Sequence, residues 1–186
     1  MDFKSILVQN GIQTRLVPCE IQIAFEQLNT SNEEMFKKEY IALSQNRYGS
    51  ITQWLNKIKS KNRTEDTDEV LLELLVELYQ KVDNIEQILN NRATQYLRLA
   101  GEGVAHFVGH NVLCTSSSIF EAGEKYYLRI FLPVFPQRYI GIFARAIAPQ
   151  VLVFEQIGHN DLVDFDSFVV QMERLMILDS KRLSKE

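Results

Sequence analysis

The apolar pattern of this 186-residue chain changes period near Tyr96, and that change divides what the two parts can fold into. Before it, apolar residues recur at helical spacing. In DEVLLELLVELYQKVDNIEQILNN, Leu71, Leu78 and Ile85 repeat every seven residues, Leu74, Lys81 and Ile88 hold the second heptad position, and Leu75, Val82 and Leu89 widen the stripe. Asp66 or Thr67 can cap this helix and Asn90–Asn91 can end it, which predicts about three heptads and a length of roughly 35 Å. The polar face carries Glu73, Glu77, Asp83 and Glu86 with little basic balance. A stripe this wide suits a bundle better than a two-stranded coil. It can pack on the chain's own N-terminal helices or on a second copy. The expected self-association face is Leu71, Leu74, Leu75, Leu78, Val82, Ile85, Ile88 and Leu89.

After Tyr96 the period is two. Tyr126, Leu128, Ile130 and Leu132 alternate with Tyr127, Arg129 and Phe131; RYIGIFARAI and VLVFEQI follow as strands, separated by Ala148-Pro149-Gln150. Short strands on short turns predict an antiparallel meander closing into a small barrel. In the last segment, Phe165, Phe168, Val169, Met172, Leu175 and Met176 form a helical stripe, with Asp164 or Asp166 available as cap. Such a face must cover something apolar, either an opening of the barrel or a sister subunit.

The first third of the chain is mixed. Residues 3–8 and 21–25 fit a short strand or a helical turn equally well. Ser31 with Glu34 makes a capping-box pattern ahead of Phe36, Tyr40 and Leu43, and Ser50 with Gln53 precedes Ile51, Trp54, Leu55 and Ile58. The stretch KSKNRTEDTDE is charged and reads as a linker. The expected organisation is a mostly helical region over 1–62, a heptad helix over 66–91 and a barrel with its helix over 94–186.

Composition excludes several function classes. A net charge of −4 and a pI near 5.5 argue against a nucleic-acid partner. The longest apolar runs fall short of a bilayer span, so no membrane insertion is expected, and the N-terminal MDFKSILVQNGIQ lacks the pattern of a signal peptide. A cytoplasmic location is the expectation. Cys19 and Cys114 are far apart and read as small buried hydrophobes; His106, His110 and His159 make no metal-ligand spacing. No metal and no cofactor are expected. Ser116-Ser117-Ser118 reads as a loop without an activating partner, and no nucleophile elbow, phosphate loop or zinc-peptidase motif is present, so the chain is not expected to be an enzyme.

The segment LRLAGEGVAHFVGHNVLCTSSSIFEAGEKYYLRIFLP runs turn, short strand, Glu-Ala-Gly turn and alternating strand, and the later VFEQIGHNDLVDFDSFV leads into a terminal helix. That order, over roughly residues 94–178, resembles the PilZ domain, a small β-barrel that many bacteria use to sense cyclic di-GMP. The resemblance implies an α+β fold: a small antiparallel barrel with a C-terminal helix, here preceded by the heptad helix and the N-terminal helical region. The heptad helix looks like the leading helix of PilZ proteins that oligomerise through heptad repeats.

The resemblance also implies a ligand signature, and this chain departs from it. One half is a pair of arginines four apart, whose guanidinium groups grip phosphate and stack on guanine. The other half is Asp or Asn, any residue, Ser, two residues and Gly. Setting the motif glycine at Gly103 puts Arg98 at the acid position and Ala100 at the serine; setting it at Gly101 puts Tyr96 and Arg98 there. No two arginines are spaced four apart, and the nearest imitation is Lys59 with Arg63. Losing several charge-assisted hydrogen bonds of about 1.5–3 kcal/mol each is enough to erase micromolar binding. The expectation is an adaptor acting through protein contacts, in motility machinery such as the flagellum or type IV pilus or in related signalling, and forming a homo-oligomer. The alternative is a cyclic di-GMP receptor with a displaced site, for which Arg92, Arg98 and Gly103 are the candidates, with Arg138 and Arg145 as further arginines. Arg129 and Arg145 are expected to face solvent. Tyr126, Tyr127, Phe131 and Tyr139 are the aromatic candidates for an exposed contact surface.

Overall fold

The computed structural model describes residues 2–45, seven helical positions between 71 and 85, and residues 96–133 and 138–183. Six antiparallel strands close into a barrel: β1 (Val17–Gln27), β2 (Gly101–Gly109), β3 (Val112–Thr115), β4 (Lys125–Leu132), β5 (Arg138–Ala148) and β6 (Val151–Ile157). Their order around the barrel is β1-β2-β3-β6-β5-β4. The chain therefore lays down two three-stranded meanders. They are joined along β3–β6 (Leu113 opposite Leu152) and along β1–β4 (Phe25 opposite Leu128).

The alternation of β4 to β6 is read out as expected, but the barrel starts earlier than 94. Its first strand comes from the region assigned to helices. Of the two ambiguous stretches, 3–8 lies in α1 (Phe3–Gln9) and 21–25 lies in β1. Ile21 and Ile23 alternate inward and are almost fully buried, and strand pairing with both β2 and β4 decides what local periodicity leaves open. A register shift between Pro18 and Ile21 absorbs the proline, which cannot donate to a ladder. The whole stretch 28–100 is thus inserted between two adjacent strands.

Inside the barrel, Ile21, Ile23, Leu128, Ile130, Leu132, Ile140 and Ile142 form the main core. The C-terminal helix α3 (His159–Leu183) completes it with Phe165, Phe168 and Val169, each 2% exposed or less. Phe165 meets Phe154 edge-on at 5.1 Å. Each such side chain contributes about 1.5–3 kcal/mol by leaving water. Asp164 and Asp166 are not its caps. The helix starts at His159, and they sit a turn further in, where Asp164 bonds Arg138 at 2.6 Å and Asp166 pairs with His110 at 2.7 Å.

Two helices cover the outside. Leu7 of α1 packs on Val112, Cys114 and Val151, and α1 is capped by Asp2, which accepts from the Lys4 backbone N–H and the Ser5 hydroxyl. In α2 (Glu33–Gln45), Phe36 packs on Tyr127, Phe143 and Leu99. The turn ahead of α2 is held by Asn29 and Asn32 rather than by Ser31 and Glu34: Asn29 Oδ1 accepts from the Ser31 and Asn32 backbone N–H groups, and Asn32 Oδ1 accepts from that of Asn29. The second capping pattern, at Ser50, lies outside the described residues.

Covering the outside changes the fate of the aromatic strand residues. Tyr126 points inward and Tyr127 lies under α2, so both are buried; Phe131 is half-buried, and only Tyr139, at 38% exposed, reaches solvent substantially.

Candidate functional site

Two places hold the residues singled out from the sequence: the junction that leads into β2, where the resemblance to PilZ domains implies a nucleotide site, and the heptad face.

At the junction the backbone is clamped by acids. The Leu97 N–H donates to Glu39 Oε2 at 2.6 Å, and the Ala100 N–H donates to Glu26 Oε2 at 2.6 Å. Glu39, from α2, is buried; its Oε1 also accepts from the Tyr127 hydroxyl and from Arg129 Nη1, each at 3.0 Å. Arg129 Nη1 in turn donates to the Leu97 carbonyl at 2.8 Å. Above this pair, the Arg129 guanidinium lies 5.1 Å from the Tyr96 ring and 5.8 Å from that of Tyr139. Burial, then the neighbouring Glu39 carboxylate, pushes the Tyr127 hydroxyl well above the ordinary phenol range, so it stays protonated and donating.

Arg129 is therefore not a solvent-facing arginine. It does point out of the barrel, but α2 and residues 96–97 roof it over and leave its side chain 13% exposed. Arg145 does face solvent, paired with Glu155, which also binds Lys125 at 3.0 Å. Burial opposes ionisation of Glu155, yet Lys125 and Arg145 together hold its carboxyl below the ordinary range. Arg138 is tied down by Asp161 and Asp164, each at 2.6 Å, and Asp161 also accepts from the Ser44 hydroxyl.

Of the candidate ligand residues, Arg98 is exposed just before β2, Gly103 lies within β2 opposite Ile23, and Arg92 falls outside the described residues. The structure gives Gly103 a packing role. A Cβ there would stand 2.9 Å from Ile119 Cδ1, and one at Gly101 would stand 2.4 Å from the Phe25 ring. Phe25 itself meets Phe120 and Tyr126 edge-on, at 5.0 and 6.1 Å, so these glycines admit an aromatic cluster inside the barrel. The Ser116-Ser117-Ser118 run is an exposed loop, and among the described residues no cluster of His, Cys, Asp or Glu could hold a metal.

Sequence reasoning passed over Glu39, the hub of the clamp. The signal for it existed: Glu39 stands three residues after Phe36 and four before Leu43, so an acid sits on the apolar face of α2. A buried acid on such a face implies a partner.

On the heptad face, Leu71, Leu74, Leu75, Leu78, Val82 and Ile85 are helical and 51–60% exposed. Ile88 and Leu89 lie outside the described residues. These six apolar side chains are not covered by the barrel of their own chain.

No protein-family model matches this chain, and no curated protein does. A solved structure of a Xanthomonas campestris pathogenic protein, described as a tetrameric PilZ domain self-assembled via an unusual helical bundle, aligns with 94% of this chain and 95% of its own. The identity is 12% and the TM-score 0.43. Among the described residues no helix is long and apolar enough to cross a membrane.

Proposed function

We propose that this chain is a non-enzymatic PilZ-like adaptor that acts through protein–protein contacts and does not bind cyclic di-GMP at the usual site. The observation that carries this reading is the acid clamp at the junction. Two backbone N–H groups of the junction, those of Leu97 and Ala100, are already held by Glu39 and Glu26, and the arginine packed against it, Arg129, is already paired with Glu39. A dinucleotide bringing two negative charges would meet carboxylates there. It would also have to break charge-assisted bonds of about 1.5–3 kcal/mol each. The heptad face supplies the contact surface, holding the chain in a homo-oligomer. By the PilZ resemblance, its setting is bacterial motility, at the flagellum or type IV pilus, or related signalling.

A calorimetric titration with cyclic di-GMP tests the reading. The adaptor gives no binding heat at micromolar concentrations. Micromolar or tighter binding that is lost in Arg98→Ala overturns it in favour of a displaced arginine site.

A further inference from the structure

Between α1 and the later turns of α3 opens a cleft of about 610 Å³, lined by Lys4, Gln13, Thr14, Arg15, Leu16 and Met176. That volume suits a small molecule. Its walls come from three segments: α1, the connection from α1 to β1, and α3. Along the connection, Gln13 and Arg15 are exposed while Thr14 and Leu16 are half-buried. The Thr14 hydroxyl is buried against Gly109 and has no hydrogen-bond partner. The polar reach of the cleft therefore belongs to Lys4, Gln13 and Arg15.

The charge of the cleft is one-sided, since both of its charged members are cations. Two acids stand nearby. Asp2 caps α1, accepting from the Lys4 backbone N–H and the Ser5 hydroxyl. Glu173 comes within 3.9 Å of Arg15 Nε, which is too long for a hydrogen bond. With the Arg15 side chain 56% exposed, an ion pair of that length is worth little.

Apolar surface continues from the charged residues along both helices. Residues four apart on a helix share a face. Val8 therefore follows Lys4 on α1, and Ile177 follows Glu173 on α3; they are 70% and 40% exposed. With Leu16 and Met176 in the cleft itself, two cations stand beside a set of aliphatic side chains. That pairing is the complement of an amphiphile with a negative head.

We propose that this cleft binds a single alkyl phosphate. Lys4, Arg15 and the Gln13 amide hold the headgroup, and the alkyl chain lies over Leu16, Met176 and Ile177. Two cations match a phosphate monoester, which carries about −1.5 to −2 charges at pH 7. Arginine grips such a group bidentately. A phospholipid bilayer offers the same chemistry, but a concave site admits one molecule. The net charge of −4 also opposes adsorption of the whole chain to an anionic surface. The site is separate from the heptad face and from the junction into β2, so it stands or falls apart from the adaptor reading.

The test follows the methyl signals of the full chain, made with methyl-labelled methionine, during titration with octyl phosphate. The Met176 signal, assigned with Met176→Leu, is expected to shift and saturate with a Kd below about 1 mM, while that of Met35 on α2 stays in place. Ethyl phosphate is expected to bind more weakly by on the order of tenfold or more, because it buries fewer methylenes. Lys4→Gln/Arg15→Gln, at two exposed positions, is expected to weaken octyl phosphate by about tenfold or more with an unchanged circular dichroism spectrum. An unmoved Met176, equal affinity for the ethyl and octyl esters, or full affinity in the charge variant each overturns the proposal. So does flotation of the protein with phosphatidic acid vesicles that the charge variant loses, which would assign the cleft to a membrane surface.

Discussion

Two apolar helical stripes of the chain are treated in opposite ways. In α3, Phe165, Phe168 and Val169 recur at helical spacing and disappear into the barrel. In the heptad segment, Leu71, Leu74, Leu75, Leu78, Val82 and Ile85 recur at the same spacing and stand in water at more than half exposure. Nothing in the periodicity distinguishes them. What differs is connection. Only a one-residue link at Gly158 separates β6 from α3, so α3 has no choice but to fold back over the barrel it has just left. The heptad segment sits in the middle of an insertion between β1 and β2, and no short tether presses its stripe onto a sheet. A stripe becomes core or interface according to what the chain places within reach.

The comparison breaks first at α3. Phe165→Ala is expected to cost about 3–5 kcal/mol, because it empties a packed barrel interior, and urea unfolding followed by circular dichroism checks this. A loss under about 1 kcal/mol would place α3 with the heptad helix as a removable element. Next comes the clamp that fixes where the insertion re-enters the barrel. Glu39→Ala leaves Arg129 as an uncompensated, largely buried charge and frees the Leu97 N–H, for an expected loss of about 3 kcal/mol in the same assay.

A smaller effect comes from the two thiols, Cys114 buried and Cys19 half-buried. Burial pushes both Cys19 and Cys114 up to about 12, from an ordinary value of 9.0; the nearness of Cys19 adds to the shift at Cys114. The folded state therefore favours the protonated thiols. Their contribution to stability is fully present below about pH 9 and is lost as pH rises toward 12, because the unfolded chain ionises first. Iodoacetamide at pH 8 is expected to modify the native protein slower than the urea-unfolded chain by on the order of tenfold or more, read by mass spectrometry. Equal rates would mean that the strands around these thiols open readily. The smallest effect on folding belongs to the heptad stripe: Leu74→Asp/Leu78→Asp should change the unfolding free energy of the barrel by no more than about 0.5 kcal/mol, since those side chains are 58% and 60% exposed within their own chain.

Where pairing is local, the sequence was a good guide. Strands β4, β5 and β6 follow one another through short connections, and their alternation, turn residues and terminal helix could all be read directly from 125–183. Strand β1 could not, because its partners lie far along the chain at 101–109 and 126–130, and pairing over that distance leaves no local pattern in IQIAF. The outer face of β4 was misjudged for a related reason. Alternation shows that Tyr127 and Arg129 share a face, but not that α2 returns to cover it. At the junction, the absence of the arginine pair and of the Asp-x-Ser-x-x-Gly pattern was visible residue by residue. The clamp made by Glu39 and Glu26 was not, since those acids come from α2 and β1. Gly103 reads in the sequence as a candidate ligand residue, whereas the space around it is taken by Ile119, which the sequence places sixteen residues away.

The most direct test of the adaptor account is the mass of the protein in solution. Size-exclusion with light scattering should give the wild type at a multiple of 21.6 kDa and Leu74→Asp/Leu78→Asp at 21.6 kDa with an unchanged circular dichroism spectrum. A wild type that runs at 21.6 kDa would contradict it, because six exposed apolar side chains would then have no partner.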